Sequence, residues 1–345
     1  MGLQFKELVV KKEISIQDLK GKILAVDSMN LLYQFLTTIR SPDGTALTDK
    51  HGKVTSHLIG LFYRTTSLME EGLKLAFVFD GKAPEIKQKT WEKRSQIKVE
   101  ALLKLKEAQE AENLDDMKKY GSRTAILTKD MIEEAKKLIQ ALGCPIVQAP
   151  SEGEAQATHL VKNGDAYACV SQDYDNLIFG CPLLVRNLSL EGKRKRAGKF
   201  AYEKINPEIL SLKEVLTNLN LTLDQLRVLA ILVGTDYNPG GIKGIGPKKA
   251  LKLVQENGEN FEQIFKQAEW DKHYPDLTWK ELFNTIKDIP VTDEYKLEWT
   301  SVNEKEVYAL LVEKHDFGAD RVKVKLDKLL EKKEKNSQKG LGSFF

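Results

Sequence analysis

Three apolar runs in this chain end in an aspartate. Ile23-Leu-Ala-Val26 leads into Asp27, and Leu75-Ala-Phe-Val-Phe79 leads into Asp80; Tyr167-Ala-Cys-Val-Ser171 is followed one residue later by Asp173, with Asp175 close behind. Short β-rich runs of this kind read as strands buried on both faces, as in a parallel sheet. Ligands of such sheets bind in the crevice at the carboxyl ends of the strands. Three strands then deliver carboxylates to one crevice, which is how a protein builds an all-oxygen site for hard divalent cations. Two carboxylates ~4 Å apart repel by about 4 kcal/mol at an effective dielectric of ~20, and several such pairs rival the ~5–15 kcal/mol that holds a domain together. Separation, protonation or bound cations must relieve that repulsion. A single Asp after a strand is ordinarily a turn former or a helix N-cap; its repetition on successive strands supports the chemical reading.

Three more acids join the set. Glu152 and Glu154 stand in Ser151-Glu-Gly-Glu-Ala155 at the start of a helix, where Ser151 and Glu154 have the spacing of a capping box. Alone they read as structural, but the strand before them ends at the same crevice. Asp236 follows the apolar helix Leu226–Val233 and a Gly-Thr pair, and alone is a turn residue.

The elements that must position these residues alternate. Strand Ile23–Asp27 enters a helix through Leu31, Leu32, Phe35 and Leu36 with Ser28 as its cap, and helix His57–Glu71 stops at Gly72. Strand Leu75–Asp80 precedes a Lys/Glu-rich stretch, Lys82–Arg123. Helix Lys129–Leu142 stops at Gly143, strand Cys144–Val147 follows, and helix Glu152–Lys162 stops at Gly164 before strand Ala166–Ser171. This rhythm predicts an α/β fold, a doubly wound, mainly parallel twisted sheet flanked by helices. Leu183–Leu190, the turn Glu191-Gly192 and Phe200–Tyr202 read as a hairpin. Its Lys193-Arg-Lys-Arg196 cluster reads as a solvated turn that also fits a nuclear-signal pattern. Beyond it the chain reads helical, and Asp327–Ser337 reads as a charged, mobile linker.

Composition bounds the function. The 345 residues, 41% hydrophobic and 30% charged, suit one large or two ordinary domains with a real core. A net charge of +3 permits nucleic-acid binding without demanding it. Cys144, Cys169 and Cys181 are odd in number and lack metal-type spacing, so they read as reduced thiols of an intracellular protein. The histidines form no zinc pattern, no run is long enough to cross a membrane, and no signal peptide opens the chain. Met1-Gly2 suggests lipidation only superficially, because Lys6 stands where Ser or Thr is needed; removal of Met1 would leave a free Gly2 amine.

Three further segments point to partners. Gly241-Ile-Lys-Gly244-Ile-Gly246-Pro-Lys-Lys-Ala250 links two helices by a tight turn with exposed N–H groups. Pro247 suits the first helical position, and Lys243, Lys248 and Lys249 add charge. Such a helix–hairpin–helix holds a phosphate at a helix N-terminus and grips nucleic-acid backbone without reading bases. In Lys82–Arg123, Lys87, Lys89, Lys93, Arg94 and Lys98 are interleaved with acids. Most of these read as i,i+4 pairs on an exposed helix, and the functional reading is a basic clamp beside the acids. In the tail, Gln338, Leu341 and Phe344 recur every third residue and Phe345 follows, a 3₁₀ spacing suited to a peptide that anchors in a partner's pocket.

With these residues in place, the chain resembles, nearly end to end, the flap structure-specific endonuclease family in its archaeal form. The resemblance is carried by Ile23-Leu-Ala-Val-Asp27-Ser-Met, Tyr33-Gln-Phe-Leu36, Thr55-Ser-His-Leu58, Phe62-Tyr-Arg-Thr65 and Val78-Phe-Asp80-Gly-Lys. Ala149-Pro-Ser-Glu152-Gly-Glu154-Ala-Gln-Ala, Ser171-Gln-Asp173-Tyr-Asp175, Gly234-Thr-Asp236-Tyr and Gly241-Ile-Lys-Gly-Ile-Gly246 continue it in order. It implies a 5′-nuclease core with a helical arch and a helix–hairpin–helix. It also implies two Mg²⁺ ions held by Asp27, Asp80, Glu152, Glu154, Asp173, Asp175 and Asp236, and cleavage of 5′ flaps in replication and repair to a 5′-phosphate and a 3′-hydroxyl. Lys87 and Arg94 match the family's basic pair at the foot of the arch, catalytic through charge on the scissile phosphate. Tyr33 matches an aromatic that stacks on a base. The implied DNA contacts are Gly2, Tyr33, Lys243, Gly244, Gly246, Lys248 and Lys249, with a K⁺ ion at the hairpin. Gln338, Leu341, Phe344 and Phe345 match a sliding-clamp-binding peptide.

The implied regions are 1–98 and 116–258 for the nuclease, 82–123 for the arch, 224–258 for the helix–hairpin–helix, 259–330 for a helical part on the core, and 331–345 for the tail. A monomer apart from the clamp is implied, cytoplasmic in an archaeon and nuclear in a eukaryote. Gln172 stands where relatives often carry an acid, with little expected consequence. Asn238-Pro-Gly-Gly241 is longer than in some relatives, which leaves the K⁺ ligands open. The chain stops at Phe345 where many relatives continue, so secondary clamp contacts are expected to be missing. The alternatives are a related 5′ nuclease preferring nicks, bubbles or RNA, and a non-catalytic clamp-associated DNA-binding scaffold. A phosphatase using the same acids has little use for hairpin or tail, and a Rossmann dehydrogenase is disfavoured because no Gly-rich turn follows the first strand.

Overall fold

The computed structural model describes residues 3–341, leaving out residues 4, 112, 191 and 196–201 and the side chains of 88–95, 109, 114, 118, 190, 192–195, 202–204, 333 and 335–341. Nine strands occur among these residues: β1 Lys12–Glu13, β2 Ile23–Asp27, β3 Lys74–Phe79, β4 Ile146–Gln148, β5 Ala168–Val170, β6 Leu183–Arg186, β7 Gly192–Lys195, β8 Tyr202–Ile205 and β9 Glu208–Ser211. Seven form one sheet in the order β1-β9-β6-β5-β2-β3-β4. β4, β3, β2, β5 and β6 run parallel, β9 turns back antiparallel on β6, and β1 pairs antiparallel with β9. From β2 the chain proceeds to β3 and β4 on one side and later to β5 and β6 on the other. The carboxyl end of β2 is therefore the switch point, where ligands of such sheets bind.

The apolar runs form strands because both faces of the sheet are covered. Leu24 and Val26 of β2 enter a core shared with Leu32, Leu58, Phe62, Leu138 and Leu326, whereas Ala25 faces Leu160, Leu177, Leu229 and Leu232 on the other side. Helices Ser28–Thr38, Ser56–Glu70 and Lys129–Ala141 contribute to the first layer, and Gly153–Lys162 and Leu223–Val233 to the second. In the stretch 82–123, helices Gln88–Glu110 and Leu114–Arg123 pair, the second capped where Asn113 Oδ1 accepts the Asp116 N–H.

Several expectations are corrected. Ser28 is not the cap of its helix: Asp27 is, its Oδ1 accepting the Asn30 N–H at 3.0 Å. Strand Cys144–Val147 begins later, at Ile146, because Gly143 (φ 76°) and the Cys144 N–H bond to Ile139 C=O finish the preceding helix. Leu183–Leu190 is not a hairpin arm. Leu184 and Val185 are buried on opposite faces of the main sheet, and the hairpin is β7 with β8. The basic cluster accordingly lies in β7 through Lys195 rather than in a turn; Arg196 lies outside the described residues.

The run Asp327–Ser337 belongs to a helix, Ala319–Leu341, rather than a linker. Val322, Leu326 and Leu329 give that helix a buried stripe. Lys325 and Lys328 reach the buried Glu70 at 2.6 and 3.3 Å, and Lys332 reaches Glu71 at 3.0 Å. The region before it crosses from one layer to the other. Leu282 and Ile286 pack with the second layer and Val307 and Leu311 with the first. Between them the strap is pinned where Trp299 Nε1 donates to Leu75 C=O and the Thr300 N–H to Gly143 C=O.

His57 is fully buried at the start of helix Ser56–Glu70, and neither ring nitrogen has a hydrogen-bond partner. Burial lowers its pKa to about 4. A folded-state pKa below the unfolded value means the unfolded chain takes up a proton first. Stability from this group is therefore present at neutral pH and falls as pH drops from about 6.5 towards 4, by about 3 kcal/mol in full. His57→Leu should lose stability less steeply than the natural chain between pH 7 and pH 4.5 in urea titrations.

Candidate active site

The acids gather where the topology requires. Asp27 ends β2, and its carboxylate caps the next helix while its Oδ2 accepts from Ser171 Oγ at 3.1 Å. Asp80 follows β3. Its Oδ1 accepts the Gly153 N–H at 2.8 Å, so a carboxylate from one strand sits at the N-terminus of the helix after another. Only glycine permits this approach: a Cβ at Gly153 would lie 2.6 Å from Asp80 Oδ1, and one at Gly81 would lie 2.2 Å from Ala149 C=O. The expected capping box of Ser151 and Glu154 does not form. Glu152 occupies the N-cap without a side-chain cap bond, and the helix end is served by Asp80 instead. That leaves both glutamates to the crevice.

Asp173 and Asp175 follow β5. Asp173 Oδ2 accepts from Asn30 Nδ2 at 2.7 Å, and Asp175 Oδ1 accepts the Leu3 N–H at 3.0 Å. The start of the chain is thereby anchored at the acids, although Gly2 itself lies outside the described residues. Asp236 follows helix Leu223–Val233. Lys87 ends a short 3₁₀ turn, Glu85–Lys87, with its Nζ 2.6 Å from Glu152 Oε2 and 3.7 Å from Asp236 Oδ2.

The electrostatics confirm the crowding. Burial, then Asp80, push Asp27 up to about 7; burial, then Asp236 and Asp173, push Asp175 up to about 8. Glu154 is driven well above the carboxylate range by burial and by Asp175, Asp27 and Asp173. Asp80 and Glu152 are raised by burial. Burial opposes the charge on Lys87, but Glu152 and Asp236 outweigh it and raise its pKa.

Among the described residues, no group of three or more His, Cys, Asp or Glu is arranged to hold a metal ion as it stands. The donor set nonetheless fits a hard cation. All the donors are oxygens, they repel one another, and Glu152 Oε1 is buried without a hydrogen-bond partner. Lys87 stands among them as the internal counter-charge.

The other expected residues lie around this centre. Tyr33 is 37% exposed, its hydroxyl donates to Ala125 C=O at 3.1 Å, and Lys98 Nζ lies 5.5 Å from its ring centroid. Gly246 is the N-cap of helix Pro247–Asn257, and Lys243, Gly244, Lys248 and Lys249 are exposed beside it. Arg94 lies in helix Gln88–Glu110, with its side chain outside the described residues. Gln338 and Leu341 end the last helix, in α-helical rather than 3₁₀ backbone, and Phe344 and Phe345 lie outside the described residues.

Sequence reasoning missed Asn30, which bonds to Asp27 and Asp173 and accepts the Gln172 N–H. Its place three residues after Asp27, the cap spacing, was the available signal. It also missed Tyr237, whose buried hydroxyl has no partner and whose pKa is raised by burial and by Glu152 and Glu154. No spacing rule marks that residue.

Family models of the XPG N-terminal domain and the XPG I-region match residues 3–101 and 143–236, which together hold all of the acids above. Flap endonuclease 1 of Pyrococcus horikoshii is 48% identical over 345 residues, covering 100% of this chain and 98% of its own. The chain belongs to the flap endonuclease family. The flap endonuclease 1 of Thermofilum pendens is 49% identical over 349 residues, covering 100% of this chain and 99% of its own. Among solved structures, flap endonuclease-1 from Methanococcus jannaschii superposes with a TM-score of 0.75 at 42% identity, covering 96% of this chain and 98% of that one. The catalytic core of Rad2 in complex with DNA substrate shares the fold, with a TM-score of 0.69 at 22% identity and coverage of 95% and 100%. Family membership makes this chain a nuclease and implies dependence on Mg²⁺.

Proposed function

We propose that this chain is a structure-specific 5′ nuclease that cuts 5′ DNA flaps at the junction with duplex, in replication and repair. The observation that carries this reading is the meeting of carboxylates from three strand ends and two helix ends with Lys87 at the sheet's switch point. Asp27, Asp80, Glu152, Glu154, Asp173, Asp175 and Asp236 would hold two Mg²⁺ ions. When bound, these supply activation of a water and neutralisation of the leaving oxygen. Water attacks the scissile phosphorus in line, the bond to the 3′ oxygen breaks, and that oxygen becomes the 3′-hydroxyl of the released fragment, while the phosphate stays on the 5′ end of the remaining strand. Lys87 and Arg94, at the foot of the 82–123 arch, bind the phosphate oxygens as charge develops. Tyr33 stacks on a base near the cut. The hairpin within 224–258 holds the downstream duplex by its backbone, together with a K⁺ ion.

Incubation of an end-labelled double-flap DNA with Mg²⁺ and with EDTA, beside single-stranded, nicked and bubble DNA, tests the proposal. A Mg²⁺-dependent cut at the flap junction is expected. Preference for a nick or bubble would move the assignment to a related 5′ nuclease, and binding without any cut to a scaffold.

The tail, Gln338 to Phe345, is proposed to dock on a sliding clamp of the replication fork, in the cytoplasm. Removing these residues should abolish stimulation by the clamp and leave the basal cleavage rate within about twofold, because the last helix is already held by Lys325 and Lys332. Clamp stimulation that survives the deletion would refute this role.

A further inference from the structure

The loop Gly234–Gly246 does two jobs in the proposed function. Asp236 faces the acids, and the turn before Pro247 faces DNA phosphates. Asn238, 1% exposed, ties the two together. Its Oδ1 accepts the Thr235 N–H at 3.0 Å and the Thr235 hydroxyl at 2.7 Å, its Nδ2 donates to Ile231 C=O at 2.7 Å, and its C=O accepts the Gly241 N–H at 3.1 Å. The turn then runs through two consecutive glycines of positive φ, Gly240 (91°) and Gly241 (57°), and the Gly241–Ile242 peptide is held on its N–H side by the Ile242 N–H bond to Leu232 C=O at 2.9 Å.

One side chain from far along the sequence holds the carbonyl side of that peptide. The Tyr274 hydroxyl lies 3.0 Å from Gly241 C=O and 3.4 Å from Asn238 C=O. Its ring stacks on Trp270 at 4.5 Å, Trp270 meets Phe265 edge-on at 5.3 Å, and Phe265 stacks on Trp279 at 4.7 Å. Trp270 Nε1 donates to Leu277 C=O at 2.6 Å, which fixes the column. The aromatic column of residues 261–287 therefore ends in a single hydroxyl aimed at the backbone of the hairpin. Phenylalanine would serve the stacking equally well.

We propose that Tyr274 is a positioning residue for DNA: its hydroxyl holds the Gly241 carbonyl inward, so that the turn presents N–H groups and lysines, not a carbonyl oxygen, to the duplex phosphates. This rests on the nuclease reading for the identity of the ligand. Its effect falls on binding rather than on the chemical step, because the Asn238 side chain, which orders Thr235 next to Asp236, is anchored on Ile231 C=O without Tyr274.

Tyr274→Phe keeps the ring column and removes the hydroxyl. Anisotropy with a labelled plain duplex in EDTA should show binding about three- to tenfold weaker, the size of one net hydrogen bond. KM for flap DNA should rise by the same factor, with the single-turnover rate at saturating DNA within twofold of the natural chain. Unchanged duplex affinity and KM would overturn the proposal, as would a fall in the saturated rate at constant KM. A lowered melting temperature with unchanged duplex affinity per folded molecule would also overturn it, leaving a structural role alone. The duplex arm needs no cleavage, so a natural chain that fails to cut flaps would refute the nuclease reading and still leave the Tyr274 result readable.

Discussion

Asp175→Ala should lower the single-turnover rate of flap cleavage by about 10³-fold or more, about 4 kcal/mol in activation free energy, while flap binding stays within a few-fold. Asp175 is buried and faces Asp173 and Asp236, and it is not among the residues proposed to contact duplex. Gel-shift binding beside quenched-flow cleavage separates the two effects, and substantial retained cleavage would sink its assignment to the metal site. Stability should move the other way. Burial and its neighbours raise Asp175 to about 8, so the stability it confers is complete below about 3.8 and lost as pH rises towards 8. Asp175→Asn, which keeps an oxygen acceptor for the Leu3 N–H, should therefore melt higher than the natural chain in EDTA at pH 8, and gain less at pH 5.

Lys87→Ala should cost about 10²–10³-fold in kcat, the range seen when a single donor to a developing oxyanion is lost. KM should change little, because the proposed duplex contact lies at the hairpin rather than at Lys87. The same substitution should tighten Mn²⁺ binding in the absence of DNA, measured by calorimetry. Lys87 Nζ is 2.6 Å from Glu152 and 3.7 Å from Asp236, so it neutralises the carboxylates a cation would neutralise. Lys82→Ala, at an exposed lysine five positions earlier, provides the control for general loss of positive charge. Weaker or unchanged Mn²⁺ binding in Lys87→Ala would show that Lys87 is not the counter-charge of the acids.

The chemistry was legible because it is written in short, local patterns. An apolar run of strand length ending in Asp27 or Asp80 states both the strand and the end at which the acid emerges. The glycines 244 and 246 before Pro247 state a turn and a helix start. Local rules failed where a distant partner took the hydrogen bond. Ser151 lost its capping box because Asp80 serves that helix end, and Ser28 lost its cap to Asp27, which is at once a cap and a site residue. The charged run after Asp327 looked solvated because its partners, Glu70 and Glu71, lie over 250 positions earlier in sequence. The strand Leu183–Arg186 looked like an arm of a hairpin with the strand after it because its antiparallel partner, β9, comes only after the β7–β8 hairpin, and its other partner is the preceding strand, β5.

By itself, then, the sequence determined the residue types, the strand ends and the turn, and with them the family. Tertiary structure alone decided which carboxylates share a neighbour, that Lys87 stands among them, that Asn30 and Tyr237 complete the surroundings, and that Tyr274 braces the hairpin. The reason is physical: periodicity and capping act within a few residues along the chain, whereas charge crowding and hydrogen-bond closure depend on distances that exist only after β2, β3 and β5 lie side by side.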